Sequence, residues 1–310
     1  MFFSRRTFLA SAAAMAAPRS AAAFCGSIAE EASKRLPLTL GVMIWRIGDI
    51  LEFDEQVAWI GEAGFESLGF HASRGVPGQW RGVDPADTDA AGRRRLRKRL
   101  ADFRQCEIHA PFDAQPSANT SEDVLRRLEE VLQFASDVGV AVVTVHADNP
   151  PPLGDEGAAG NWHQALDRLD RAAEKAQVRM GIEFFSGFEW LRKPRRDWIG
   201  ATLDVGHMYF DHLPGYRPWG TIGEQIRYLD DLLFHLHLHD NTGEVDHIEI
   251  GTGKVDWDDT LLALAGIGYR GSMILEPNPD RVSPEGIRRS AETIRGMARD
   301  LDLTDRTAPS

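Results

Sequence analysis

Cysteine is nearly missing from this chain, at two residues in 310, Cys25 and Cys106. That count excludes a disulfide-built scaffold. A single bridge would need an oxidising compartment, and Cys106, inside an apolar run, reads instead as a buried thiol. Positive charge is also short, with 35 Lys and Arg against 47 Asp and Glu and a formal net charge of −12. So acidic a chain repels phosphate backbones and anionic lipid surfaces, which argues against nucleic acid and against the membrane as partners. Beyond the first two dozen residues no apolar run approaches the roughly 20 residues that cross a bilayer. No internal repeat or long linker marks a second domain.

The N-terminus departs from this pattern. "SRRTFLA" (Ser4 to Ala10) puts paired arginines ahead of an Ala- and Met-rich apolar run that ends in the small residues of "SAAAF". That order is the layout of a twin-arginine export signal, expected over residues 1–23 with a cut near Ala23. Such signals carry proteins that are already folded. The mature chain is therefore expected in the periplasm, with a short extension over 24–35. Removing Arg5, Arg6 and Arg19 takes the net charge from −12 to −15.

What remains alternates short apolar runs with amphipathic segments. The candidate strands are "LTLGVMIW" (Leu38 to Trp45), "ESLGFHA" (Glu66 to Ala72), "CEIHAPF" (Cys106 to Phe112) and "VAVVTVHA" (Val140 to Ala147). They continue with "RMGIEFF" (Arg179 to Phe185), "IGATLDV" (Ile199 to Val205), "LLFHLHLHD" (Leu232 to Asp240) and "GSMILEP" (Gly271 to Pro277). Each is short and bounded by turn residues, as buried parallel strands are. Between them, Val124, Leu128, Val131, Leu132 and Ala135 share one helical face, with Thr120 or Ser121 as N-cap and Gly139 as the stop. Ser283 and Pro284 open another helix, striped by Ile287, Ala291, Ile294, Met297 and Leu301. The segment after the fifth strand is the weakest, interrupted by Pro194. Eight strands alternating with helices predict an α/β fold, a single (β/α)8 TIM barrel over 36–301, with a disordered tail over 302–310.

In such a barrel, polar residues at the C-terminal strand ends converge on one mouth. They are plentiful here: His109, His146, Glu183, Asp204 with His207 just beyond, His237 and His239, His247 in the next loop, and Glu276. A lone strand-end histidine is ordinarily a hydrogen-bonded core residue. A carboxylate in an apolar strand is different, because burying it unpaired is costly, and Glu183 in "GIEFF" and Glu276 in "ILEPNP" are both of that kind. With Asp204 and His237 they form a ligand set for Mn²⁺, Zn²⁺, Co²⁺ or Mg²⁺. The strand period of two puts His235, His237 and His239 on the barrel's inner face, with His235 one layer beneath the mouth.

With these residues in place, the chain resembles the xylose-isomerase-like TIM-barrel superfamily, which includes sugar isomerases, ketose 3-epimerases, inosose dehydratases and the endonuclease IV group. The motifs are "GIEFF", "LDVGH", "HLHDN", "HIEIGTGKVDW" and "ILEP", and they span the mature chain. The resemblance implies that Glu183, Asp204, His237 and Glu276 are metal ligands and that His207 touches substrate or a second metal. It places His247 at the mouth, and His109 and His146 where the endonuclease branch has additional zinc ligands. There are departures: ketose 3-epimerases carry an Arg six residues beyond the strand-seven ligand, where Gly243 stands here, and the common Lys two residues after that ligand is His239. The Lys motif of xylose isomerase itself is missing.

The expected function is a metal-dependent sugar, polyol or keto-sugar isomerase or epimerase. It would act by proton transfer through a metal-stabilised enediolate, with Glu183 and Glu276 moving the proton and His207 assisting. His109, His146, His239, His247, Trp45 and Trp257 are expected to contact the carbohydrate, and Phe70, Phe112, Phe185 and Trp190 are further candidate apolar walls. A lyase or dehydratase on an oxidised sugar would use the same chemistry. The alternatives from other classes are a multi-zinc phosphodiesterase, favoured by His109, His146 and His247, and a periplasmic sugar-binding barrel without catalysis. A homo-oligomer is compatible with all of them.

Overall fold

Eight parallel strands close on themselves in chain order, the last pairing with the first. The computed structural model describes residues 35–77, 79–152, 154–184, 187–211 and 220–304. The first half runs β1 (Thr39–Ile44), α1 (Phe53–Glu62), β2 (Ser67–His71), α2 (Ala90–Leu100), β3 (Gln105–His109), α3 (Glu122–Val138), β4 (Val142–His146) and α4 (Glu156–Ala176). The second runs β5 (Arg179–Glu183), α5 (Glu189–Arg192), β6 (Ile199–Asp204), α6 (Ile222–Leu229), β7 (Leu233–Leu238), α7 (Trp257–Ile267), β8 (Ser272–Leu275) and α8 (Pro284–Asp300). This is the (β/α)8 barrel that the alternation predicts.

The strands are buried on both faces, which is why their apolar runs are continuous rather than alternating. Helices face the barrel with one stripe. In α3 this stripe includes Leu125, Leu128, Val131, Leu132 and Ala135, the Ser121 hydroxyl caps the first turn by accepting from Val124 N, and Gly139 ends the helix at φ 80°. Ser283 caps α8 in the same way, ahead of Pro284. The weak segment after β5 yields only the four residues of α5.

The C-terminal boundary differs from expectation. A disordered tail beginning at residue 302 does not hold at its start, because Leu303 is fully buried and Leu36 N donates to its carbonyl at 2.9 Å. The leader expected over 1–23, the extension expected up to residue 35 (all but its last residue), Cys25, Phe185 and residues 305–310 lie outside the described residues. Cys106 is buried in β3, and burial pushes its thiol up to about 12. Among the described residues, no helix is long and apolar enough to cross a membrane.

Register determines what the barrel can present at its mouth. His71 pairs with His109, His146 with Glu183, and Asp204 with His237. The strand ends therefore reach one level, and their side chains meet across the rim.

Candidate active site

The rim residues converge around one carboxylate. Glu183 Oε2 lies 3.4 Å from His146 Nε2, 3.8 Å from His109 Nε2 and 3.4 Å from His237 Nδ1. His237 Nδ1 also lies 3.3 Å from Glu276 Oε2. Asp204 takes His239 Nε2 at 2.9 Å and stands 3.3 Å from His207 Nδ1. Further out, the Nε2 atoms of His207 and His247 are 3.2 Å apart, each 3.8 Å from Asp246 Oδ2. Asp246 is itself held by Arg281 at 3.0 Å.

Three of the rings are anchored to an acceptor through Nδ1. His109 Nδ1–H donates to the Ala110 carbonyl at 2.7 Å, His247 Nδ1–H to the Glu276 carbonyl at 2.6 Å, and His146 Nδ1–H to Asp148 at 3.2 Å. These assignments follow from the partners, since a carbonyl or carboxylate only accepts. His239 Nε2–H donates to Asp204, while its Nδ1 lies 2.9 Å from His247 N and 3.0 Å from the Asp240 carbonyl. The inward nitrogens of His109 and His237, and Glu183 Oε2, are buried and make no hydrogen bond.

That arrangement fits a cation. Ring nitrogens of His109 and His237 that make no hydrogen bond face the carboxylates of Glu183 and Glu276 inside a buried rim, and a cation between them would satisfy all of these groups at once. Ligand bonds of about 2.0–2.2 Å put neighbouring ligand atoms roughly 3–3.5 Å apart, the spacing seen around His237 Nδ1. Ligand atoms of Glu183, Asp204 and His237 lie within 4.8 Å of one another, as do those of His109, His146 and Glu183, and those of Asp204, His207, His239 and His247.

Charge is divided unevenly over the ring. Burial works against ionising Glu183, but the imidazoles of His146, His109, His207 and His237 hold it well below the usual carboxylate range. Burial, helped by the charges of Glu183 and Asp204, pushes Glu276 up. His207 rises to about 9, since the Asp204 and Glu183 charges outweigh its burial, while burial and His239 bring His247 down to about 3.

Not every expected residue reaches the rim. Trp45 does, with its ring centroid 6.0 Å from that of His247 and 5.6 Å from that of His71. Phe112 also does, exposed and 4.9 Å from His109. Trp257 instead opens α7 as a buried residue whose indole N–H donates to Asp240 at 3.2 Å. Phe70 is core, edge-on to Phe53, and Trp190 packs on His163 with its N–H on the Pro151 carbonyl. His235 sits beneath the rim, as the strand period requires.

Three residues escaped the sequence reading. Glu107 is fully buried under His237, and Asp246 completes the group with His207 and His247. His71, the last residue of β2, is buried with both ring nitrogens unbonded and lies 4.7 Å from the Trp80 ring. Gly243, where ketose 3-epimerases carry Arg, has φ 103°, and a Cβ there would collide with the Asp211 carboxylate and the Lys254 ammonium. An L side chain at that φ would be strained.

A closed parallel barrel with imidazoles and carboxylates gathered on its C-terminal rim is a TIM barrel with a polar site at its mouth. Residues 57–297 match the xylose isomerase-like TIM barrel family, and the chain belongs to that family. It is 26% identical to an uncharacterised protein of Methanocaldococcus jannaschii over 195 residues, 54% of this chain and 63% of that one. It is 26% identical to D-psicose 3-epimerase of Ruminiclostridium cellulolyticum over 134 residues, 38% of this chain and 42% of the relative. The chain thus spans about half the length of these relatives. A solved D-tagatose 3-epimerase-like protein superposes with a TM-score of 0.65 at 20% identity, covering 86% of this chain and 98% of the other, a likeness of fold.

Proposed function

We propose that this chain is a divalent-metal-dependent isomerase or epimerase of sugars, polyols or keto-sugars, working by proton transfer through an enediolate. One observation carries the reading: His237 Nδ1, buried and without a hydrogen bond, faces Glu183 Oε2 at 3.4 Å and Glu276 Oε2 at 3.3 Å. Membership of the family and the similarity to a D-psicose 3-epimerase support the same class. Glu183, Asp204, His237 and Glu276 would hold the cation, one of Mn²⁺, Zn²⁺, Co²⁺ or Mg²⁺. When bound, such an ion polarises a sugar carbonyl and its neighbouring hydroxyl and so acidifies the adjoining C–H.

The chain's own groups supply the proton handling. Glu183, kept ionised by its imidazole neighbours, is suited to take the proton from carbon, and Glu276, pushed up by burial, is suited to return one. His207 can donate to the substrate oxygen on which charge develops. Trp45 and Phe112 form an apolar flank on the rim against which a sugar face can lie.

The test combines metal analysis with solvent exchange. The purified protein should carry one divalent ion per chain, and Glu183→Gln should lose it along with turnover. Incubation in D₂O with a panel of neutral and oxidised sugars should place deuterium on a substrate carbon. Product analysis then separates isomerisation or epimerisation from dehydration. Turnover without deuterium on carbon overturns proton transfer, and full metal occupancy in the Glu183 variant overturns the ligand set. A second reading rests on the ligand groupings that share Glu183 and Asp204 with His109, His146, His207 and His247. Two or three zinc ions per chain with phosphodiester cleavage would establish a multi-zinc phosphodiesterase instead.

A further inference from the structure

Beneath the rim lies a carboxylate for which the proposed chemistry has no use. Glu107 on β3 is 0% exposed, and its two oxygens serve two imidazoles. Oε2 accepts from His235 Nε2–H at 2.7 Å and Oε1 accepts from His237 Nε2–H at 2.8 Å. Room for this carboxylate comes from the facing strand, where Gly69 pairs with Glu107. A Cβ at residue 69 would stand 3.0 Å from Glu107 Oε2 and 2.8 Å from Met43 Cε, so any larger residue would press on the carboxylate.

These contacts differ in kind from those at the rim. The Glu107 distances are those of charge-assisted N–H···O bonds. The distances from His237 Nδ1 to Glu183 and Glu276 are longer, and no hydrogen bond joins them. Glu107, His235 and His237 are therefore a hydrogen-bonded support and not a second cation site.

A neutral imidazole carries one N–H, and an ionised carboxylate can only accept. Glu107 takes that proton at Nε2 of His237, which leaves the lone pair on Nδ1, facing Glu183 and Glu276. With the proton on Nδ1, the same ring would present an N–H where a ligand bond has to form. Resting on the metal-centre reading above, we propose that Glu107 is a positioning residue. It fixes His237 as the Nε2–H tautomer and so prepares Nδ1 to bind the cation, while His235 holds the second oxygen and keeps the carboxylate from turning. Carboxylate support of this kind typically contributes 10- to 100-fold to metal affinity.

Glu107→Gln tests it in the full chain. The amide keeps the size but accepts at one oxygen only and offers NH₂ to the other imidazole. Zinc affinity is measured by competition with a chromophoric chelator for wild type, Glu107→Gln and Glu183→Gln. Loss in Glu183→Gln with a 10- to 100-fold weakening in Glu107→Gln supports the proposal. Loss in Glu183→Gln with wild-type affinity in Glu107→Gln overturns it and leaves the metal centre standing. Unchanged affinity in Glu183→Gln overturns the metal-centre reading, and the proposal falls with it. Histidine ¹⁵N spectra of the zinc-loaded wild type give a readout that needs no variant and so covers a Glu107→Gln chain that does not fold. The His237 proton on Nε2, protected from exchange, is the expected result, and a proton on Nδ1 overturns the proposal.

Discussion

At the scale of single residues, the rim stores charge that the metal-free protein must balance by itself. His207 is the clearest case. Its burial opposes protonation, but the Asp204 and Glu183 carboxylates raise it from the ordinary 6.5 to about 9. A histidine raised on folding stabilises the fold fully below the unfolded value near 6.5, and that contribution is lost as pH climbs through about 9. The raise corresponds to something on the order of 3 kcal/mol. We expect the stability difference between metal-stripped wild type and His207→Gln, read from urea unfolding, to be largest at pH 6 and to shrink by pH 10. A difference independent of pH would mean that His207 is not charged in the folded chain. The same scale shows where a sequence reading stops. The physical argument that picks out Glu183 and Glu276, a carboxylate too costly to bury alone, applies equally to Glu107 in "CEIHAPF". Glu107 escapes because it stands two residues before the end of β3, and a search of strand ends passes over the layer beneath. Its partner His235 lies 128 positions away, and only barrel closure brings the two together.

At the scale of elements, the loop from β7 to α7 is built around Asp240. Its Oδ1 accepts from Asn241 N at 2.8 Å and Val255 N at 3.1 Å, and its Oδ2 accepts from Gly251 N at 2.8 Å and the Trp257 indole at 3.2 Å. Asn241 extends the scaffold, donating to the Gly206 carbonyl at 3.0 Å and accepting from Gly243 N at 2.6 Å. This frame carries His247 to the rim at φ 49°, and the loop returns to β7 through the Asp240–Ile248 bridge. Asp240→Asn replaces one acceptor with an NH₂ that meets N–H donors, so at least one buried donor goes unmet. We expect about 1–3 kcal/mol of destabilisation, measured by urea unfolding, and an unchanged unfolding midpoint would rule out this organising role. The motifs "HLHDN" and "HIEIGTGKVDW" mark this loop in the sequence, but not the reason for its residues. Trp257, expected against substrate, is the fourth donor to Asp240. The strands, by contrast, are legible to within a few residues, because burial on both faces leaves short uninterrupted apolar runs. Segment α5 is hard to read since four residues are too few for a helical period to register.

At the scale of the whole molecule, the net charge of −12 is a sequence argument against phosphate polymers as partners, and Gly243 stands where ketose 3-epimerases carry Arg. The N-terminal stretch adds a proposal about where such an enzyme would work. Arg5 and Arg6 stand directly before an apolar run that ends in small residues, the arrangement read by the folded-protein export route. The proposed ligands Glu183, Asp204, His237 and Glu276 stand at the ends of four strands and cannot be brought together in an unfolded chain, so export after folding would let the cation be acquired before the membrane is crossed. Lysine keeps the charge of the n-region but not the planar guanidinium pair. Changing both Arg5 and Arg6 to Lys should therefore leave full-length precursor in the cytoplasm, folded and with the same metal content as the exported form. Cell fractionation with immunodetection, followed by metal analysis of each fraction, checks both halves. Undiminished periplasmic accumulation of the double variant would refute the export signal, and a metal-free cytoplasmic precursor would refute loading before export.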